Sequence, residues 1–199
     1  MSGMQTKRED QVYQLKVTLG GSKPPIWRRL QVKDSTRLGD LHVILQVAMG
    51  WTDSHLHQFI LRGEYFGAPD FDDSGEMTDE DKTALRDLGL SEKSRFVYEY
   101  DFGDGWQHAI LVEKILPVER GVRYPVCLAG KLARPPEDCG GIWGFYNLLG
   151  IVADPKHPEH EEMREWLGGG FDPQAFDLDA VNTRLAEVRK QPRTWRAIG

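Results

Sequence analysis

The chain has 199 residues, 40% hydrophobic and 28% charged, which suits a soluble globular protein. Its formal net charge of −6 argues against broad binding to phosphate backbones, which needs clustered lysine and arginine. No apolar run approaches the roughly 20 residues that span a bilayer, and two cysteines are too few for a disulfide framework.

Met1–Asp10 is polar and lacks an apolar signal core, so a cytoplasmic location is expected and residues 1–11 are predicted to be disordered. Residues 12–190 read as one α+β domain, with a sheet-and-helix core over 12–117 and a loop and helical extension over 118–190. The tail 191–199 has no period, although Trp195 could dock.

Residues 12–19 alternate as a first strand. Gly20-Gly21 and Pro24-Pro25 punctuate a loop, and Ile26–Val32 resumes as a second strand, giving a hairpin. Between Lys23 and Arg37, five basic residues (Lys23, Arg28, Arg29, Lys33, Arg37) face one acid, Asp34. Two readings compete: a small anion or nucleic-acid patch, and a solvated strand face whose arginines pair with the chain's own carboxylates. The acidic balance favours the second. A helix follows, with Thr36 as cap, Asp40 in the first turn and Gly50 as stop. Leu38, Leu41, Leu45 and Ala48/Met49 form its apolar stripe, and His42 beside that stripe is read as structural. Strand, strand, helix, strand is the order of a β-grasp-like start, in which an antiparallel-dominated sheet of about five or six strands wraps a helix.

His55–Arg62 reads as the third strand, with His55, His57, Phe59 and Leu61 on one face. Two histidines at i, i+2 on a strand can share one metal. The plainer reading makes His57 a half-buried hydrogen-bonding residue and leaves His55 in the loop. Asp70–Asp81 partly fits a calcium loop, but the twelfth position is Asp81 instead of glutamate and no entering helix precedes it. A mobile acidic loop is predicted instead. Thr83–Leu88 suits one helical turn.

The most informative stretch is Tyr98–Glu113, Y-E-Y-D-F-G-D-G-W-Q-H-A-I-L-V-E. Phe96, Tyr98, Tyr100 and Phe102 share one strand face, and Trp106, His108, Ile110 and Val112 share one face of the next. A two-residue loop would pair Asp101 with His108. A three-residue Gly103–Gly105 loop would pair Tyr100 with His108, and it aligns both apolar faces. Asp104 is predicted to accept turn N–H groups, a duty the loop does not ask of Asp101.

Past Pro117, Cys127 and Cys139 are too far apart for the usual paired zinc spacing, so no zinc site is expected. Glu137 and Asp138 suit the N-terminus of a helix starting near Gly141, with Trp143, Tyr146, Leu148 and Leu149 on its apolar side. A helix opening at Pro158 and ending before Gly168, and a last one capped by Asp177 with Leu178, Val181, Leu185 and Val188, complete the chain.

The motif Y-D-F-G-D-x-W-x-H resembles the signature of a family named after the third open reading frame of a root-inducing plasmid, whose members are often described as passenger proteins of insertion elements. L-H-V-I-L-Q-V-A-M-G-W (Leu41–Trp51), H-L-H-Q-F (His55–Phe59), P-P-E-D-C-G-G (Pro135–Gly141) and F-D-P-Q-A-F-D (Phe171–Asp177) extend the likeness over nearly the whole chain. The resemblance implies a compact α+β fold and carries no agreed activity. Arg134 stands where members often have a cysteine.

The chain has no nucleophile elbow, phosphate loop or H-E-x-x-H motif. The leading expectation is a non-catalytic accessory module of mobile elements, without cofactor or membrane, that binds a protein or peptide partner and binds nucleic acid weakly. A metal-dependent or hydrolase-like enzyme built on a His/Asp cluster is the alternative, and a DNA-binding accessory protein the third reading. All would draw on a polar cleft expected from His57, Asp101, Asp104, Trp106, His108, Glu137 and Asp138, without a tightly bound metal.

Overall fold

The computed structural model describes residues 10–69 and 75–189. Eight strands form one sheet: β1 (Gln11–Leu19), β2 (Trp27–Lys33), β3 (His57–Leu61), β4 (Glu64–Gly67), β5 (Thr78–Asp79), β6 (Arg95–Tyr100), β7 (Trp106–Pro117) and β8 (Val126–Lys131). Their spatial order is β5-β4-β3-β6-β7-β1-β2-β8. Every pairing is antiparallel except β4 with β5. The count exceeds the predicted five or six because β4 and β5 are short pieces and β8, six residues long, has little alternation of its own. β3 enters beside β6, so the central hairpin separates it from β1.

Alternation decides the faces. Tyr13, Leu15, Val17 and Leu19 of β1 are buried, and the intervening Gln14, Lys16 and Thr18 are only half-buried. The inner face continues through Leu30, Val32, Phe59, Leu61, Phe96, Tyr98, Tyr100, Ile110 and Val112, and it holds helix α1 (Leu38–Met49) through Leu38, Leu41, Leu45 and Ala48. The outer face is polar. On it Arg29 donates to both carboxylate oxygens of Glu113, at 2.6 and 2.9 Å, and Gln14 joins them.

Two corrections concern helix ends and faces. Arg37, not Thr36, occupies the N-cap of α1, and no side chain caps it. The free N–H groups of Leu38 and Gly39 instead donate to the carbonyls of Thr83 and Glu80, at 2.9 and 3.4 Å. That pins the segment after β5 to the helix start. At the other end Gly50 adopts φ +94° and closes the helix through the Gln46 carbonyl. Helix α2 (Gly141–Ala153) buries Phe145, Leu148 and Ile151, whereas Trp143 is 85% exposed. Phe145 packs edge-on to Phe171, and this contact sets the rotation of the helix. Helices α3 (His160–Trp166) and α4 (Leu178–Val188) follow, and Asp177 caps α4 by accepting the Ala180 N–H at 2.9 Å.

The central hairpin takes neither anticipated register. Tyr98 pairs with His108 and Tyr100 with Trp106, leaving Asp101–Gly105 as the connection. Asp101 explains the longer loop. It adopts φ +56°, and its Oδ1 accepts the N–H groups of Gly103 (3.0 Å) and Asp104 (3.3 Å). The turn duty expected of Asp104 therefore belongs to Asp101. Phe102 leaves the apolar face and is 50% exposed.

The mobile acidic loop predicted over Asp70–Asp81 falls partly on residues 70–74, outside the described residues. Its described end is packed: Glu80 is buried and bonds to His57. The helical turn expected over Thr83–Leu88 is a single 3₁₀ turn, Leu85–Leu88. Among the described residues no helix is long and apolar enough to cross a membrane.

Candidate functional site

Four segments converge at the edge of α1. The helix supplies His42, the following loop Asp53, strand β3 His57, and the segment after β5 Glu80. The His42 and His57 rings stack with centroids 3.4 Å apart and planes within 5°. His42 Nε2 lies 2.6 Å from Asp53 Oδ1, and His57 Nε2 lies 2.8 Å from Glu80 Oε2. One ligand atom each from His42, Asp53 and His57 falls within 4.8 Å of the others.

A second layer orients this group. The Tyr98 hydroxyl sits 2.8 Å from His42 Nδ1 and accepts from Gln46 Nε2 at 2.9 Å, while Gln46 Oε1 accepts the Asp53 N–H at 3.1 Å. Burial pulls the His42 pKa below its ordinary value despite the opposing pull of Asp53, so the imidazole is held neutral. The group opens into a cleft of about 390 Å³ whose other walls include His55, Leu56, Met77 and Phe102.

Beside it lies a second convergence. His55 Nε2 is 3.2 Å from Asp138 Oδ1 and 3.6 Å from Asp101 Oδ2. Behind it Tyr100 donates to Glu137 Oε1 at 2.6 Å, and Glu137 also accepts from the Thr52 N–H and hydroxyl. Burial works to raise the Glu137 pKa, but these hydrogen bonds outweigh it and hold the carboxyl below its usual value. The Ser54 N–H donates to the Tyr100 hydroxyl at 3.0 Å, so one tyrosine ties the loop before β3 to the P-P-E-D turn.

The residues singled out from sequence thus divide. His57 reaches the cleft, Asp101 and Asp138 meet at His55, and Glu137 braces the loop. Asp104 stays in the hairpin turn, where its Oδ2 has no hydrogen-bond partner. Trp106 and His108 are buried in the core, 1% and 0% exposed, with His108 Nδ1 3.3 Å from the Tyr98 carbonyl oxygen. Sequence reasoning read His42 as structural and passed over Asp53 and Glu80. The available signals were a histidine bordering an apolar helix stripe and the run D-S-H-L-H, with potential ligands at every second residue. Cys127 and Cys139 are free thiols, buried and half-buried.

Residues 11–180 match the plasmid pRiA4b ORF-3-like protein family, and the chain belongs to it. It is 40% identical over 182 residues to the uncharacterised protein y4hQ of Sinorhizobium fredii, covering 89% of this chain and 92% of that one. The crystal structure of MM3350 from Methanosarcina mazei Go1, a protein of unknown function, superposes with a TM-score of 0.79 at 40% identity. That match covers 86% of this chain and 98% of the other.

Proposed function

We propose that this member of the plasmid pRiA4b ORF-3-like family works through a divalent metal ion held in the cleft by His42, Asp53 and His57, with Glu80 beside His57. The supporting observation is the convergence of two stacked imidazoles and two carboxylates on one open cleft. Imidazole and carboxylate donors suit zinc, manganese, iron or nickel. Tyr98 can accept the Nδ1 proton of His42, which turns the Nε2 lone pair toward an ion, an outer-shell arrangement usual around metal-bound histidine. A bound ion would polarise an oxygen or activate water, so the fitting reaction class is metal-assisted hydrolysis. Titrating metal-free protein with zinc, manganese or nickel should raise the melting temperature, by the equivalent of about 2.7 kcal/mol at a hundredfold excess over Kd. His57→Ala should remove the part of the rise that the cleft ion supplies. An unchanged melting temperature and no binding heat with wild-type protein would refute the proposal.

The plasmid-derived family name supports a second reading, an accessory module of mobile elements that binds a protein or peptide partner. Random duplex DNA is not that partner. Arg28 is buried and Arg29 is paired with Glu113, so the basic hairpin offers less charge than its sequence suggests. Binding in a shift assay should be weak and vanish at physiological salt; tight, salt-resistant binding would restore the DNA reading.

A further inference from the structure

We infer that His55, Asp101 and Asp138 form a second cation site, built independently of the one in the cleft. The first observation is at His55. Its Nε2 is shielded from solvent and has no hydrogen-bond partner, yet two carboxylate oxygens stand 3.2 and 3.6 Å away. The distances suit an ion pair, but the ring nitrogen is not aligned for a hydrogen bond to either oxygen. A shielded nitrogen flanked by two carboxylate oxygens and hydrogen-bonded to neither is free to be a ligand of a cation shared with them, and one ligand atom from each of the three residues lies within 4.8 Å of the others.

The second observation is the division of labour within Asp101. Oδ1 is taken by the Gly103 and Asp104 N–H groups, which fixes the carboxylate, and Oδ2 is turned toward His55. The side chain is largely buried, so its orientation is set by the fold.

The third observation is that the surroundings of the three residues are braced before any ligand arrives. The turn carrying Asp104 presses on the start of α2 so closely that a Cβ at Gly141 would stand 2.5 Å from the Asp104 carbonyl oxygen. Glu137, next to Asp138, is clamped by Thr52 and Tyr100, and the Tyr100 hydroxyl also accepts the Ser54 N–H next to His55. The Asp138 side chain is 72% exposed, which leaves one side open for an ion to enter.

One imidazole and two carboxylates define the ligand class: a divalent first-row metal such as manganese, iron, cobalt or zinc, with further positions left for water or a substrate oxygen. Residues 53, 55 and 57 would then serve two ions from one short stretch, Asp53 and His57 the cleft and His55 the neighbouring site. This explains why the P-P-E-D and D-F-G-D turns meet where they do, which a single ion in the cleft does not.

The test is metal stoichiometry in full-length protein, stripped of metal and then dialysed against manganese or cobalt, measured by elemental analysis with circular dichroism as the folding control. Asp138→Asn changes an exposed side chain, so its fold should be intact; His55→Gln and His57→Gln complete the set. Two ions in the wild type, one in Asp138→Asn and His55→Gln, and one in His57→Gln are expected. A single ion lost in Asp138→Asn but kept in His57→Gln would uphold this site and overturn the cleft proposal. A single ion kept in Asp138→Asn and lost in His57→Gln would overturn this site and leave the cleft proposal standing. No bound ion, or two ions that survive both Asp138→Asn and His55→Gln, would also overturn it.

Discussion

Replacing Arg28 with alanine is expected to cost about 3 kcal/mol of stability, while Arg29→Ala next to it costs less than about 1 kcal/mol. The two side chains point to opposite faces of β2. Arg29 reaches the outer face and pairs with Glu113 across β1, where the two side chains are half-buried and still reach water. Arg28 is 3% exposed on the inner face. Its guanidinium donates to the carbonyls of Ala48 at 2.9 Å, Trp27 at 2.8 Å and Lys131 at 3.1 Å, and lies 4.4 Å from the centre of the Phe176 ring. One side chain therefore joins the end of α1, strand β8 and the loop before α4. Burial pulls its pKa down to about 10, so the charge survives at neutral pH and depends on those carbonyls for its solvation. Truncation strips one buried and two partly buried carbonyls of this donor and leaves a gap beneath Phe176. Urea unfolding of both variants measures the contrast; equal losses would mean that Arg28 is not the tie described.

The same pair of residues shows where the sequence was legible and where it stopped. The sequence reading put both arginines on one solvated strand face, whereas neighbours on a strand point to opposite faces; the prediction that arginines would pair with the chain's own carboxylates holds for Arg29. It fails for Arg28, because the carbonyl cage is assembled from residues up to 103 positions away. Local pattern likewise found β1, β2, α1, β3, β6 and β7, where each run buries one face of its own. It missed β4 and β5, which are short, and β8, whose six residues show little alternation; each is a strand because a neighbour offers it an edge. The hairpin register turned on one carboxylate, since Asp101 capping Gly103 and Asp104 outweighed the glycines as the determinant of loop length. The cleft was the hardest to read. His57 and Glu80 are 23 residues apart in sequence, and Glu80 reaches His57 because its segment caps the start of α1 with carbonyls. Nothing local to an acidic loop announces that duty.

Between pH 7 and pH 5 the protein is expected to lose about 2 kcal/mol of stability through His108 alone. His108 is fully buried between Trp51 and Tyr98, with its Nδ1 near the Tyr98 carbonyl and its Nε2 without a partner. Burial pushes its pKa from 6.5 down to about 4, and hydrogen bonding to backbone carbonyls recovers only part of that. The unfolded chain therefore binds a proton through a window in which the folded chain does not. Stability from this group is fully present above pH 6.5 and is lost progressively as the pH falls toward 4. The depressed carboxyl groups of Glu113 and Glu137 pull the same way in acid, so the wild-type curve alone does not isolate the histidine. The comparison with His108→Gln does. The variant keeps at this position a polar side chain of similar size that does not titrate, while the other histidines are common to both proteins. Its stability at pH 7 should be lower from lost packing, and its decline toward pH 5 should be shallower by about 2 kcal/mol. Parallel declines in denaturant titrations at the two pH values would show that His108 takes up its proton without unfolding, through a path that its burial beneath Trp51 does not allow.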